Sequence, residues 1–97
     1  MAKGYWIASV DVTDPEGYKE YVAANAAAFQ KYGAKFLVRG GRFEVPEGTA
    51  RSRNIVLEFK DYDTALACYR SPEYAAAKAL RQGRADATVI IIEGYDG

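Results

Sequence analysis

Arg39 and Glu58 are the two residues best suited to do chemistry together. Both sit in strand-like surroundings, Arg39 in "LVRGGRFEV" (37–45) and Glu58 in "NIVLEF" (54–59). A guanidinium holds a carboxylate, phenolate or enolate through paired charge-assisted hydrogen bonds. A glutamate whose pKa is raised by burial shuttles a proton. On that reading Arg39 is the anion holder and Glu58 the acid–base group, the two candidate catalytic residues. A structural ion pair that fixes strand register or a dimer contact accounts for the same two residues without chemistry. Gly40-Gly41 follows Arg39, and a glycine weakens a strand by about 0.5–1 kcal/mol relative to alanine. The expected compensation is a bulge that aims Arg39 inward, with backbone bare enough for a ligand or another chain to approach. Ser9, Asp11, Tyr74 and Arg81 complete the candidate ligand-binding set with Arg39, Gly40 and Gly41. Simple alternation puts Ser9 and Asp11 on the face of Arg39, while Tyr74 and Arg81 lie two turns apart on one helix face. Solvated strand ends would explain Ser9 and Asp11 equally well, and packing beside Tyr69 would explain Tyr74.

The chain has no histidine and one cysteine. That removes the commonest general base and metal ligand, a proximal haem histidine, any zinc site and every histidine-containing triad. No metal and no cofactor are expected, so chemistry must use carboxylates, tyrosines, arginines, lysines or a reactive substrate. Asp61, Asp63 and Glu47 are too sparse for a calcium loop and read as caps or turn residues. Lys and Arg total 13 against 13 Asp and Glu, leaving no basic excess to neutralise nucleic-acid phosphates. Cys68 alone excludes an intramolecular disulfide and reads as a small core residue. Asp11 breaks the first apolar run too early for a signal peptide or membrane span, so a cytoplasmic protein without membrane contact is expected.

The elements that must position these residues are legible along all of residues 1–97, read as one domain. "GYWIASVDV" (Gly4–Val12) is rich in β-branched and aromatic residues, a strand signal. Asp14-Pro15 predicts a helix start. Tyr18, Tyr21, Val22, Asn25, Phe29 and Tyr32 then form one stripe that ends at Gly33. The tyrosines read as core, with hydroxyls lining a pocket between helix and sheet as the alternative, and Asn25 as a boundary residue turned to solvent, with a pocket hydrogen-bond donor as the alternative. Lys35–Val38 opens a second strand, expected to continue through "RFEV". Pro46-Glu47-Gly48 marks a turn, and Asn54–Phe59 is the third strand of a hairpin with the second. Asp61 caps a short helix, and Ser71-Pro72 restarts it until Gly83; Ser71 is explained by capping. Ala87–Gly94 is the fourth strand. The order β-α-β-β-α-β is that of a ferredoxin-like α+β sandwich.

Two helices cover one face of a four-stranded sheet. By alternation the other face carries Tyr5, Ile7, Leu37 and Val56, with Ser9, Asp11, Arg39 and Glu58 among them. Four large apolar side chains at about 1.5–3 kcal/mol each favour burial of that face, and a homodimer closing sheet to sheet is expected.

"DVTDPEGYKEYV", "YGAKFLVRGG", "VPEG", "VLEF", "CYRSPEYAAAKALRQGRAD" and "IIIEGYDG" together resemble, in this order, the domain-of-unknown-function 1330 family over nearly the whole chain. The resemblance implies a dimeric α/β barrel built from ferredoxin-like subunits, and no settled activity. Arg39, Gly40, Gly41, Glu58, Ser71, Pro72, Tyr74 and Arg81 match the family's recurrent pattern. Gly33-Ala34 replaces the usual Gly-Gly after the first helix. Related barrels include cofactor-independent monooxygenases, muconolactone isomerases, haem-degrading enzymes and stress-responsive proteins, and fold alone does not choose among them. The missing histidine counts against a haem-ligating member. The expectation is a small-molecule-binding homodimer that takes an acidic or aromatic organic ligand, with cofactor-independent chemistry open to it. A non-catalytic stress-associated or protein-interaction module is the alternative.

Overall fold

Helix starts follow the side chains that can satisfy free backbone N–H groups. In the computed structural model, which describes residues 2–96, the Asp14 carboxylate accepts from Gly17 N at 3.2 Å. Asp61 accepts from Thr64 N at 2.7 Å, and Ser71 Oγ from Tyr74 N at 3.1 Å. These three caps set the starts of α1 (Pro15–Tyr32), α2 (Tyr62–Tyr69) and α3 (Pro72–Arg81). Gly33 ends α1 with φ 68°, the left-handed conformation a Cβ disfavours.

The strands are β1 (Gly4–Val12), β2 (Lys35–Arg39), β3 (Arg53–Phe59) and β4 (Ala85–Glu93). They form one antiparallel sheet in the order β2-β3-β1-β4. The helices cover one face. Trp6 anchors the core there, 2% exposed, with its indole N–H donating to the Ala65 carbonyl at 2.8 Å. Phe29, Phe59, Tyr69 and Tyr74 surround its ring. Cys68 is buried in this core as expected. Among the described residues no helix is long and apolar enough to cross a membrane.

Two sequence expectations need correcting. β2 stops at Arg39, and "RFEV" belongs to an exposed irregular loop, residues 40–52. Gly40 leaves β space at φ 69°, and its N–H closes the strand end on the Asn54 carbonyl at 3.0 Å. The bulge lies before the glycines, not at them. Phe36 pairs with Leu57 and Val38 with Val56, so Leu37 is an extra residue opposite β3. One inserted residue reverses the side-chain parity of everything after it. Arg39, opposite Ile55, therefore returns to the helix-covered face with Phe36.

The other face of the sheet has no helix over it. Ile7 and Ile90 lie side by side across β1 and β4, at 41% and 49% exposure, with Leu37, Val38 and Ile92 also exposed.

Candidate functional site

Between the helices and the sheet lies a cleft whose floor comes from strand alternation. Trp6, Ala8 and Val10 of β1, Ile55 and Leu57 of β3, and Ala87 and Val89 of β4 face it. The stripe of α1 forms its wall with Tyr18, Tyr21, Val22, Asn25 and Phe29. Three cations complete the lining, Arg39, Arg53 and Arg81, and no carboxylate does.

Each arginine arrives from a different element. The bulge brings Arg39 to this side, where its guanidinium carbon lies 4.2 Å from the Phe36 ring centroid. Arg53 opens β3 in phase with Ile55 and Leu57, opposite Val10. Its guanidinium crosses to β2, where a Cβ on Gly40 would lie 2.6 Å from Arg53 Nη1. Glycine at residue 40 therefore serves both the left-handed turn and the close approach of this cation. Arg81, in the last turn of α3, lies 5.5 Å from the Tyr21 ring centroid and lines the cleft beside Tyr74. None of the three forms an ion pair among the described residues. Three like charges around one apolar floor favour a bound anion.

Deeper in the cleft the hydroxyls of Tyr21 and Tyr74 lie 2.8 Å apart. Burial, then the neighbouring Tyr74, pushes the Tyr21 pKa well above that of a free phenol, and only partial relief comes from the Asn25 amide and Arg81. Burial likewise raises Tyr18, against the opposing fields of Arg53 and Arg81. Both phenols thus stay neutral donors at physiological pH.

Arg39, Tyr74 and Arg81 share the cleft, with Gly40 at its rim. Gly41 lies in the exposed loop. Ser9, Asp11 and Glu58 lie on the opposite face, so the expected Arg39–Glu58 pair does not form. Glu58 instead accepts from the Tyr5 hydroxyl at 3.4 Å and stands opposite Lys35. Ser9 Oγ accepts from Arg51 N at 3.1 Å. Asp11 accepts from Ser52 N at 2.9 Å and from Arg51 Nη1 at 3.0 Å. The Ser52 backbone bond, then Arg51, holds the Asp11 carboxyl below the usual carboxylate range. Ser9 and Asp11 thereby tether the end of the 40–52 loop.

Asn25 is 8% exposed and lines the cleft, against the expectation of a solvent-facing amide. Arg53, Tyr18 and Tyr21 were not among the expected site residues. The arginine's phase with Ile55, Leu57 and Phe59 is a signal that would have placed it.

The sequence profile described as "Domain of unknown function (DUF1330)" matches residues 3–95. The chain belongs to this family. No protein of curated function matches this DUF1330 chain by sequence. Similar solved structures include RPA0582, a protein of unknown function from Rhodopseudomonas palustris. It has 17% identity and a TM-score of 0.76, over 99% of this chain and 85% of that one. SnoaB, a cofactor-independent oxygenase from Streptomyces nogalater, has 12% identity and a TM-score of 0.64, over 100% and 97%. A dimeric ferredoxin-like protein of unknown function from Thermobifida fusca has 16% identity and a TM-score of 0.62, over 94% and 90%. These likenesses establish the ferredoxin-like fold of the DUF1330 chain.

Proposed function

We propose that this protein binds a small organic acid in the cleft between its helices and its sheet. The observation that carries the reading is the convergence of Arg39, Arg53 and Arg81, without a carboxylate partner, on a floor of aromatic and aliphatic side chains. Guanidiniums recognise a carboxylate or phenolate with directed hydrogen bonds, and the floor suits an apolar ligand body. The cleft lining lacks a carboxylate, so the reading is of binding. A proton-abstracting step would fall to the ligand itself, because a neutral phenol donates a proton and takes none. Glu58, on the other face, is left out.

The working unit of this reading is a homodimer closed through the uncovered sheet face. Ile7, Leu37, Val38, Ile90 and Ile92 supply the apolar contact, and dimeric ferredoxin-like proteins from Thermobifida fusca and Bacteroides fragilis supply the precedent.

The test is a thermal-melt series at low ionic strength with benzoate, cinnamate and short aliphatic carboxylates. At a concentration of 100 Kd an acid stabilises by about 2.7 kcal/mol. Arg39→Gln combined with Arg53→Gln should remove that shift without unfolding the chain. Indifference to every acid sinks the proposal. Sedimentation at micromolar concentration checks the dimer, and Ile90→Lys should break it.

A further inference from the structure

Charge is balanced over the whole chain but not in its cleft. Lys and Arg number 13 against 13 Asp and Glu, yet Arg39, Arg53 and Arg81 face one cavity whose wall holds no acid. The ion pairs among the described residues use other cations, Lys19, Lys31, Arg51 and Arg84. The Phe36 and Tyr21 rings near Arg39 and Arg81 offer only quadrupoles, which carry no net charge. Tyr18 and Tyr21, their pKa values raised by burial, stay neutral and return no negative charge either. Arg39 and Arg53 gather at one end of the hairpin. Arg39 stands opposite Ile55 of β3, and the next residue, Gly40, is the one that the Arg53 guanidinium abuts. The Debye length is about 30 Å at 0.01 M salt, so in dilute buffer three cations lining one cavity act on its contents together.

Resting on the organic-acid reading above, we infer that the ligand is a dianion, a small organic molecule with two negative charges on a compact apolar body. A monoanion compensates one guanidinium and leaves two like charges facing each other across the cleft. A second negative charge removes more of that repulsion and adds its own attraction. Dicarboxylates and phosphate monoesters share this chemistry, and guanidiniums hold both through paired hydrogen bonds. The three arginines therefore select for the number of charges on the ligand as well as for their sign.

The experiment is calorimetry on the unmodified chain with isophthalate, its monomethyl ester and phenyl phosphate, at about 10 mM and about 300 mM salt. The diacid and its monoester differ by one charge on the same ring, and at pH 8 the phosphate carries both of its charges. In low salt isophthalate, phenyl phosphate or both should bind about tenfold more tightly than the monoester, the weight of one further charge contact near a protein surface. In high salt that advantage should shrink below about threefold. Preference for phenyl phosphate alone assigns a phosphate monoester, and preference for isophthalate alone a dicarboxylate. Arg53→Gln should weaken the dianions several-fold more than the monoester. The wild-type comparison needs no variant, so it decides the matter even where Arg53→Gln fails to fold. Equal affinities in low salt, or an advantage that salt leaves untouched, overturn the inference and leave the acid-binding reading standing. No binding by any of the three overturns both.

Discussion

The guanidinium of Arg39 lies 4.2 Å from the ring centroid of Phe36, three residues earlier on the same strand. Residues three apart on an unbroken strand face opposite ways; Leu37, the extra residue, brings these two to one side. The side-chain protons of Arg39 therefore feel the ring current. NMR should find its Hδ resonances shifted upfield, and Phe36→Leu should return them to ordinary values at a loss of about 0.5–1 kcal/mol of cation–π attraction. Glu58→Gln should leave them in place. A shift that responds to Glu58 and not to Phe36 would put Arg39 on the wrong face of the sheet.

Repulsion among Arg39, Arg53 and Arg81 makes a second expectation. The ligand-free protein should gain stability as salt rises from tens to hundreds of millimolar, because screening acts on this unpaired trio. Arg53→Gln should flatten that salt dependence and change stability in low salt by no more than about 0.5 kcal/mol, with the sign toward stabilisation. Melting curves at two ionic strengths suffice.

Gly40 is a position where alanine is doubly disfavoured. The left-handed φ of 69° costs an L-residue about 1–2 kcal/mol, and the new methyl would lie 2.6 Å from Arg53 Nη1. Gly40→Ala should therefore lower stability by about that amount and also weaken acid binding, since Arg53 must move. Gly41→Ala meets nothing within 4 Å and should do neither. Denaturant titration together with calorimetry separates the two effects.

The loop tether carries a pH dependence with a definite sign. The Asp11 carboxyl, with Ser52 N and Arg51 as partners, is held below its ordinary value. The folded form thus binds the proton less readily than the unfolded one. The stabilisation is complete above the ordinary aspartate pKa and drains away as pH falls through the depressed one. A carbon-13 titration of the carboxyl should give a midpoint below 3.8. Asp11→Asn should free the loop at neutral pH, seen as faster proteolysis within residues 40–52 and unchanged protection of β1.

Cys68 should be inert. Burial pushes its thiol pKa up to about 12, so the reactive thiolate is scarce at pH 8. A disulfide reagent should modify it only at the rate of unfolding; reaction within seconds on the native protein would contradict the packing.

The helix caps and strand order were legible because each rests on local chemistry. Asp14, Asp61 and Ser71 reach backbone N–H groups three residues ahead, and such reach is written in the spacing itself. The cleft was legible only in pieces. Arg39, Tyr74 and Arg81 were singled out, but the face of Arg39 depended on whether Leu37 is a paired or an extra residue. Nothing in "KFLVR" distinguishes the two: β-propensity is the same either way, and the bulge is decided by cross-strand fit to Val56 and Leu57. Asn25 was misplaced for a related reason. An amide in an apolar stripe faces solvent or a cleft, and the cleft beside Asn25 is closed by residues distant in sequence, Tyr74 and Arg81 of α3 among them.

Residues 40–52 leave the sheet directly after Arg39 and rejoin it at Arg53, so both ends of this excursion are planted on the cations at the cleft's entrance. Its span is anchored by Gly40 at one end and by Ser9 and Asp11 at the other, while the interior contributes little to the hydrogen-bonded ladder. Lengthening such an excursion costs only about 0.6 kcal/mol per doubling. Transplanting a foreign segment between these anchors is thus a route to changing which molecules gain admission while the scaffold beneath is left intact.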